Sequence, residues 1–183
     1  MRVMHCLDKS IILIGMMGAG KSAVGCCLQQ RTGFTRFDTD EMVSSKFGIP
    51  ISKIFSTCGE DKFREAETEV LRRISPDQPS IIVTGGGIIL REKNVGILKR
   101  LGAVVWLVGE EGTLFNRASR TGNRPLLQGK NPRKAFAEML QARLPLYAKI
   151  ADIRVDTSAL TGEEVAIAIL TKLKGDCRNS TST

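Results

Sequence analysis

Unbroken apolar runs limit what this chain can fold into more than any other feature of its sequence. The runs at 11–14, 81–83 and 103–108 contain only apolar residues, and weaker ones lie at 35–37 and 153–155. Runs that do not alternate are typical of strands buried on both faces of a parallel sheet. Five such strands with helices between them predict a three-layer α/β/α fold around a central five-stranded parallel sheet.

Helical patterns separate the predicted strands. They cover 21–32, 39–47, 60–74, 92–100, 111–119, 133–149 and 162–173. In open parallel sheets, ligands bind beyond the carboxyl ends of the strands, so the loops that follow the apolar runs are where we expect the chemistry. We expect one domain at 1–174 and a frayed polar tail at 175–183.

Composition excludes several classes of protein. Of the 183 residues, 42% are hydrophobic and 25% are charged, as expected of a soluble globular domain and not of a fibrous or disordered chain. No apolar run approaches the ~20 residues that cross a bilayer, so we expect a cytoplasmic protein that does not bind membranes. The five cysteines have no metal-binding or disulfide spacing, which favours free thiols in a reducing compartment.

The formal net charge of +8 indicates an anionic ligand or partner. Many basic residues lie between 117 and 149, and no zinc-finger or RNA-binding aromatic motif accompanies them. Arginines clustered around a small phosphorylated ligand account for this distribution better than a nucleic-acid surface does. We therefore expect small-molecule ligands and no nucleic-acid partner, and we expect a monomer.

The first predicted strand leads directly into the pattern G-x-x-x-x-G-K-S at 15–22. Such a loop between a strand and a helix binds nucleotide phosphates, because its glycines let backbone N–H groups turn inward and the helix N-terminus attracts anions. Lys21 would bridge the terminal phosphates, and the Ser22 hydroxyl would ligate Mg²⁺. The alternative, a glycine-rich turn with a chance Lys-Ser pair, is disfavoured by the strand and helix on either side. The candidate residues for binding the nucleotide here are Gly18, Ala19, Gly20, Lys21, Ser22 and Ala23. The motif alone does not separate a kinase from a GTPase or an ATPase motor.

Two carboxylates, Asp38 and Asp40, follow the second predicted strand. Alternate residues leaving a strand point the same way, so both side chains can face one cavity. One of them would then hold the water shell of Mg²⁺, while the other would accept the proton of a hydroxyl group as that group is phosphorylated. The alternative is that Asp38 or Thr39 only caps the following helix.

Arg64 and Glu67 lie three positions apart on one face of a predicted helix, and three glycines at 85–87 follow another strand. The planar fork of an arginine suits a carboxylate, although most such helical pairs are surface ion pairs. A run of glycines marks either a tight turn or a close approach of the main chain to a ligand. Further along, the basic and weakly periodic segment at 117–133 predicts a mobile lid that excludes water from the site.

The segments GMMGAGKS, FDTDEMV, GEDKFREAE, TGGG, RTGNRPLL and ARLPLYAKIAD together resemble the shikimate kinases over about residues 10–172. The resemblance implies a P-loop nucleotide kinase fold with an acceptor-binding region at about 39–67 and a mobile lid. It also implies Mg²⁺-dependent transfer of the γ-phosphoryl group of ATP to the 3-hydroxyl of shikimate.

Individual roles follow from this resemblance. Lys21, Asp40 and Arg124 are implied to be catalytic, with Asp40 as the group that accepts the proton of the acceptor. Ser22 and Asp38 are implied to hold Mg²⁺, and Arg120 and Arg124 to contact the nucleotide. The residues implied to bind shikimate are Asp40, Arg64, Glu67, Gly85, Gly86, Gly87 and Arg143. Phe55 and Phe63 are implied to form apolar walls, and Thr84 to stand near the metal.

The chain departs from the usual pattern of this family at several positions. Ala23 replaces a threonine, Cys26 and Cys27 replace a pair that usually contains arginine, and the lid is short by about two residues. The loop at 156–161 lacks an expected basic residue. These departures bear on nucleotide affinity and lid motion, so two alternatives stay open. One is a different small-molecule kinase, such as a gluconate or nucleoside monophosphate kinase, and the other is a nucleotide-binding regulator or nucleic-acid-associated ATPase.

Overall fold

The structure is a computed structural model that describes residues 9–75, 77–120 and 130–179, with side chains through residue 175. Its strands are β1 (Ser10–Ile14), β2 (Thr35–Asp38), β3 (Ser80–Val83), β4 (Gly102–Val108) and β5 (Ile153–Asp156). Its helices are α1 (Lys21–Thr32), α2 (Thr39–Phe47), α3 (Ile51–Arg72), α4 (Glu92–Leu101), α5 (Glu111–Arg120), α6 (Pro132–Ile150) and α7 (Gly162–Asn179). A short 3₁₀ helix, Ile88–Leu90, lies between β3 and α4.

The five strands form one parallel sheet in the order β2-β3-β1-β4-β5, which confirms the predicted sheet. The central strand is β1, in which Ile12 pairs with Ile82 of β3 on one side and with Val104 of β4 on the other. Every residue of β1 is buried. Because a strand in this position has helices over both faces, its residues 11–14 are continuously apolar and do not alternate.

Adjacent side chains of β1 enter opposite cores, which makes the fold three-layered. Leu13 packs in one core with residues of α1, α5 and α7, whereas Ile12 packs in the other with residues of α3 and α4. Helix α6 crosses between them and contributes Phe136 to the first core and Tyr147 to the second. Because all five strands are parallel, their carboxyl ends lie at the same edge of the sheet.

Helix α3 begins earlier than predicted. The sequence pattern predicts a helix over 60–74, but α3 begins at Ile51 after Pro50, and the non-helical Gly59 (φ 80°, ψ 167°) interrupts it. The weak helix formers before Gly59 hide this first segment in the sequence, and burial of Ile54 against α2 stabilises it. The chain therefore carries two helical segments joined at Gly59, the second of which holds the predicted acceptor residues.

The two C-terminal helices end differently from expectation. A proline at 145 is expected to kink or end a helix, yet α6 passes through it and ends at Ile150, within one residue of the predicted helical pattern, because Tyr147 and Ile150 are both buried in the core. Helix α7 continues to Asn179, so the predicted tail begins inside a helix. Among the described helices, none is long and apolar enough to cross a membrane.

Candidate active site

The phosphate loop joins β1 to α1 at the carboxyl edge of the sheet. Gly18 and Gly20 adopt left-handed backbone conformations, with φ of 84° and 83°. A Cβ atom at Gly18 would also collide with the carbonyl oxygen of Leu114 in α5. The ammonium group of Lys21 reaches back over the loop and donates to the carbonyl oxygen of Gly15 at 2.8 Å. The loop thus has the shape that its glycine pattern predicts.

A cleft, here called the phosphate cleft, lies above this loop. Its walls come from the loop itself, the end of β2, the segment after β3 and α5. It is lined by Met17, Gly18, Gly20, Lys21, Ser22, Ala23, Asp38, Asp40, Val83, Thr84, Gly85, Gly86 and Arg117. All but one of the predicted phosphate-binding residues of the loop therefore lie together with the candidate metal ligands.

The exception in the phosphate loop is Ala19. Its side chain is fully buried, and its N–H donates to the carbonyl oxygen of Met16 at 3.2 Å. Ala19 therefore stabilises the turn of the loop through its backbone and does not line the phosphate cleft. Pattern matching alone cannot distinguish this residue from its neighbours, because all of them lie in the same motif.

Asp38 both caps helix α2 and lines the phosphate cleft. Its role as a helix cap is therefore compatible with the predicted role as a metal ligand. Its Oδ1 accepts hydrogen bonds from the N–H groups of Asp40 at 3.0 Å and Glu41 at 3.4 Å, at the start of α2. Its Oδ2 lies 3.5 Å from Nη1 of Arg36. Burial raises the pKa of Asp38 above its ordinary value, with the Glu41 carboxylate acting in the same direction.

The hydroxyl of Thr84 donates to the carbonyl oxygen of Leu13 at 2.8 Å and also borders this cleft.

A second cavity, here called the acceptor cavity, adjoins the first. It is lined by Met17, Asp40, Ile51, Phe55, Phe63, Arg64, Glu67, Gly85, Gly86, Gly87 and Arg143. The rings of Phe55 and Phe63 have centroids 4.6 Å apart and form an apolar wall, as predicted. Met17, Asp40, Gly85 and Gly86 border both spaces. The Asp40 carboxylate therefore stands where the two cavities meet.

Arg64 and Glu67 form a buried ion pair, not the surface pair that the sequence also allowed. Nη1 of Arg64 donates to Oε2 of Glu67 at 2.6 Å. Burial raises the pKa of Glu67 to about 7 although Arg64 opposes this effect, and the nearby Asp40 carboxylate reinforces it. Within the described residues, the other carboxylate oxygen of Glu67, Oε1, has no hydrogen-bond partner. A polar atom left this way in a cavity wall is suited to a ligand hydroxyl.

The glycine run provides clearance for these side chains. A Cβ at Gly85 would lie 2.6 Å from Oδ1 of Asp40, and a Cβ at Gly87 would collide with the guanidinium group of Arg64. The run also forms a turn, because the N–H of Ile88 donates to the carbonyl oxygen of Gly85 at 3.2 Å. A close approach of this main chain to a ligand stays a prediction. The N–H of Gly85 donates to the hydroxyl of Thr39 at 3.1 Å, so this group is already engaged within the protein.

Helix α6 brings a second arginine, Arg143, to the acceptor cavity. Its side chain is buried, and its Nη1 lies 4.0 Å from the sulfur of Met16 in the phosphate loop. One turn later, the hydroxyl of Tyr147 donates to the carbonyl oxygen of Gly86 at 2.5 Å. Burial raises the pKa of Tyr147 to about 12, so it remains a donor. Sequence analysis predicted Arg143 but missed Tyr147, whose spacing of four from Arg143 is the signal that both lie on one helix face.

The arginines at the start of the predicted lid, Arg117 and Arg120, lie in helix α5. Arg117 belongs to α5, borders the phosphate cleft, and donates to the carbonyl oxygens of Thr157 at 3.0 Å and Ser158 at 3.2 Å. Arg120 lies at the exposed end of α5, outside the lining of that cleft. The first part of the predicted lid at 117–133 is therefore helical. Arg124 lies outside the described residues.

The arrangement separates a site for phosphate groups from a site for a small acid. A carboxylate at the boundary between two such sites can accept the proton of a hydroxyl group while a phosphoryl group is transferred to it. Fold and site together define a phosphate-loop kinase that acts on a small molecule. The family model described as Shikimate kinase matches residues 17–174. The chain belongs to the shikimate kinase family and is an ATP-dependent kinase.

Individual relatives agree with this assignment. The chain is 45% identical to a shikimate kinase of Thermodesulfovibrio yellowstonii, over 88% of this chain and 93% of the relative, and 42% identical to one of Moorella thermoacetica, over 90% and 94%. It superposes on a shikimate kinase from Acinetobacter baumannii in complex with shikimate with a TM-score of 0.88 and 35% identity, over 92% and 94% of the two chains. A gluconokinase from Sinorhizobium meliloti, at 20% identity and a TM-score of 0.64 over 94% and 95%, shares the fold.

Proposed function

We propose that the chain transfers the γ-phosphoryl group of ATP to the 3-hydroxyl of shikimate, with the residue roles described below. One observation carries the proposal. Arg64 and Arg143, both buried, line a small cavity that also contains Asp40, and this cavity opens onto the phosphate cleft. Two buried arginines suit a carboxylate, and shikimate is a small carboxylic acid with ring hydroxyls.

On the donor side, the phosphate loop binds the ATP phosphates through backbone N–H groups and the N-terminus of α1. The ammonium group of Lys21 lies over the loop, held by its carbonyl oxygens, and is therefore poised to move to the phosphates when they enter. Arg117 borders the same cleft and holds the loop after β5, where the nucleoside end of ATP would lie. Arg124 is proposed from the resemblance alone to approach the transferred group.

The donor atoms in the phosphate cleft fit Mg²⁺. Ser22 offers a hydroxyl and Asp38 a carboxylate, and both line the cleft. In the described part of the chain, no three acidic, histidine or cysteine side chains gather to form a metal cage. That composition suits Mg²⁺, which usually keeps several waters and binds through one or two protein oxygens together with substrate phosphates. When bound, Mg²⁺ would neutralise charge on the phosphates; Ser22 and Asp38 would hold it.

On the acceptor side, the two arginines orient shikimate before transfer, which lowers the entropic part of the barrier. Phe55 and Phe63 cover the ring, and Oε1 of Glu67 accepts from a ring hydroxyl. Asp40 then accepts the proton of the 3-hydroxyl as that oxygen bonds to phosphorus and the bond to the β-phosphate bridging oxygen breaks.

A coupled ADP-release assay with Mg-ATP tests the proposal. Shikimate is compared with quinate, gluconate and nucleoside monophosphates, and Asp40→Asn serves as the variant that keeps size but loses the base. We expect turnover on shikimate and a loss of at least about 100-fold in kcat for Asp40→Asn. Turnover on gluconate or a nucleoside monophosphate instead of shikimate would contradict the proposed acceptor.

A further inference from the structure

Arg64 is held from two sides. Its side chain is 7% exposed, and Nη1 donates to Glu67 at 2.6 Å. On the opposite edge, Nε and Nη2 both donate to one oxygen, Oε1 of Glu60, at 3.2 Å and 2.9 Å. A guanidinium group has five N–H bonds, so these contacts leave one N–H on Nη1 and one on Nη2. Those two N–H groups form the fork that can donate to an incoming carboxylate.

Glu60 lies outside the acceptor cavity, although its partner lines that cavity. The cavity wall includes Arg64 and Glu67 but not Glu60, whose side chain is 50% exposed. Glu60 therefore does not occupy the place of an incoming carboxylate. It approaches Arg64 from the solvent side, so the remaining N–H fork faces away from it. Gly87, which lies against the guanidinium group, closes another direction.

The position of Glu60 four residues before Arg64 places it against the outer edge of that side chain. Gly59 is non-helical, so Glu60 opens the second segment of α3, and Arg64 follows one turn later on the same face. Within the first turn of this segment, Glu60 is free to extend along the outer edge of the arginine.

We propose that Glu60 is a positioning residue that fixes the orientation of Arg64 and thereby sets the affinity for the carboxylate of the acceptor. The inference rests on the proposed function, because it takes the acceptor to be shikimate. The simple alternative is an exposed i,i+4 ion pair that stabilises the helix slightly and has no effect on substrate binding. A second alternative is that the Glu60 carboxylate competes with that of shikimate and must leave Arg64 before shikimate binds. Removing Glu60 would then lower KM for shikimate.

The test measures KM for shikimate, KM for ATP and kcat in the full-length enzyme, using Glu60→Ala, Glu60→Gln and Glu65→Ala. Glu65 is the matched control: it is 54% exposed on the same helical segment and pairs with Lys62 at 3.1 Å, away from the cavity. We expect Glu60→Ala to raise KM for shikimate about tenfold, with KM for ATP and kcat within about twofold of the unaltered enzyme. Glu60→Gln should lose less, because its amide oxygen still accepts from both N–H groups.

Binding of shikimate methyl ester separates positioning from a general effect on the fold. The ester has no carboxylate charge, so its dissociation constant should be the same in the unaltered enzyme and in Glu60→Ala. Equal weakening of the acid and the ester, or an unchanged or lower KM for shikimate in Glu60→Ala, would overturn the inference while leaving the proposed function intact. Absence of shikimate turnover in the unaltered enzyme would overturn the proposed function and this inference with it.

Discussion

At the scale of single residues, the acceptor cavity depends on the room left by its glycines as much as on its charged side chains. None of the three glycines at 85–87 has the positive φ that often requires a glycine. Gly86 instead leaves room for the carbonyl oxygen of Gly15, which would lie 3.3 Å from a Cβ atom. The missing side chains allow the charged groups and the phosphate loop to approach the main chain closely.

Replacing Gly87 with alanine should impair acceptor binding selectively. The new methyl group would displace the guanidinium group of Arg64, which is the flexible end of a side chain, so the fold should survive. We expect KM for shikimate to rise at least about tenfold and KM for ATP to change little. Steady-state kinetics check this result. Gly96→Ala in α4 is the control, because a Cβ there has its nearest neighbour, Nη1 of Arg100, at 3.9 Å; unchanged KM for shikimate in Gly87→Ala would contradict the prediction.

The raised pKa of Glu67 predicts a specific dependence of stability on pH. The folded chain holds this proton up to about pH 7, whereas the unfolded chain releases it near pH 4.5. Below pH 4.5 both states are protonated; as pH rises from there to about 7, the folded state is progressively disfavoured, by up to about 3 kcal/mol. Urea unfolding of the ligand-free chain at several pH values measures this, and Glu67→Gln should remove that part of the dependence. Parallel pH profiles for the two proteins would contradict the assignment.

The same residue should affect acceptor binding. Protonation of Glu67 removes a negative charge beside Arg64, which favours an anionic ligand. KM for shikimate should therefore rise as pH increases through about 7, and Glu67→Gln should flatten this change. KM for ATP, measured over the same range, is the internal control; a rise of equal size in both constants would point away from Glu67.

At the scale of elements, helix α6 connects the two halves of the site. It carries Arg143 into the acceptor cavity and Tyr147 onto the glycine run, and it passes through Pro145 between them. Tyr147 also stacks on Trp106 of β4, with ring centroids 5.8 Å apart. Tyr147 thus connects the main chain at Gly86 to the core beside β4.

Tyr147→Phe tests this connection while retaining the stacked ring. The variant leaves the carbonyl oxygen of Gly86 without its donor, which should lower the free energy of unfolding by about 1–2 kcal/mol. We also expect a several-fold increase in KM for shikimate, because the main chain at Gly86 lines the acceptor cavity. Thermal unfolding and steady-state kinetics measure the two effects. If neither changes, the hydroxyl does not position the glycine run.

At the scale of the whole molecule, the sequence predicts the parts that depend on local pattern. The sheet and most helices follow from apolar runs and periodicity, and the phosphate loop follows from its glycine spacing. The start of α3 was missed because tertiary burial of Ile54 stabilises a segment with weak helix propensity. The contacts of Arg117 with the loop after β5 join residues forty positions apart, and no local pattern encodes them. Glu60 looks like any exposed helical acid until the edge of Arg64 that it contacts is known.

The acceptor should stabilise the whole fold, because its cavity joins α2, α3, α6 and the loops after β1 and β3. Shikimate at about 100 times its dissociation constant should add about 2.7 kcal/mol to the free energy of unfolding. Arg143→Ala should require much more shikimate for the same thermal shift. Arg31→Ala, which removes only an exposed pair with Glu163, should leave the concentration dependence unchanged. A normal response in Arg143→Ala would contradict its proposed role.

The glycine run also limits how this enzyme can escape an inhibitor. A compound that packs against the main chain at 85–87 contacts positions where any larger residue pushes into Asp40, Arg64 or the phosphate loop. Substitutions that weaken such a compound would displace the groups proposed to bind and phosphorylate the substrate. Resistance by a single substitution in this run should therefore carry a loss of activity. Substitutions at Ile51 and Phe55, which also line the acceptor cavity, should reduce activity less.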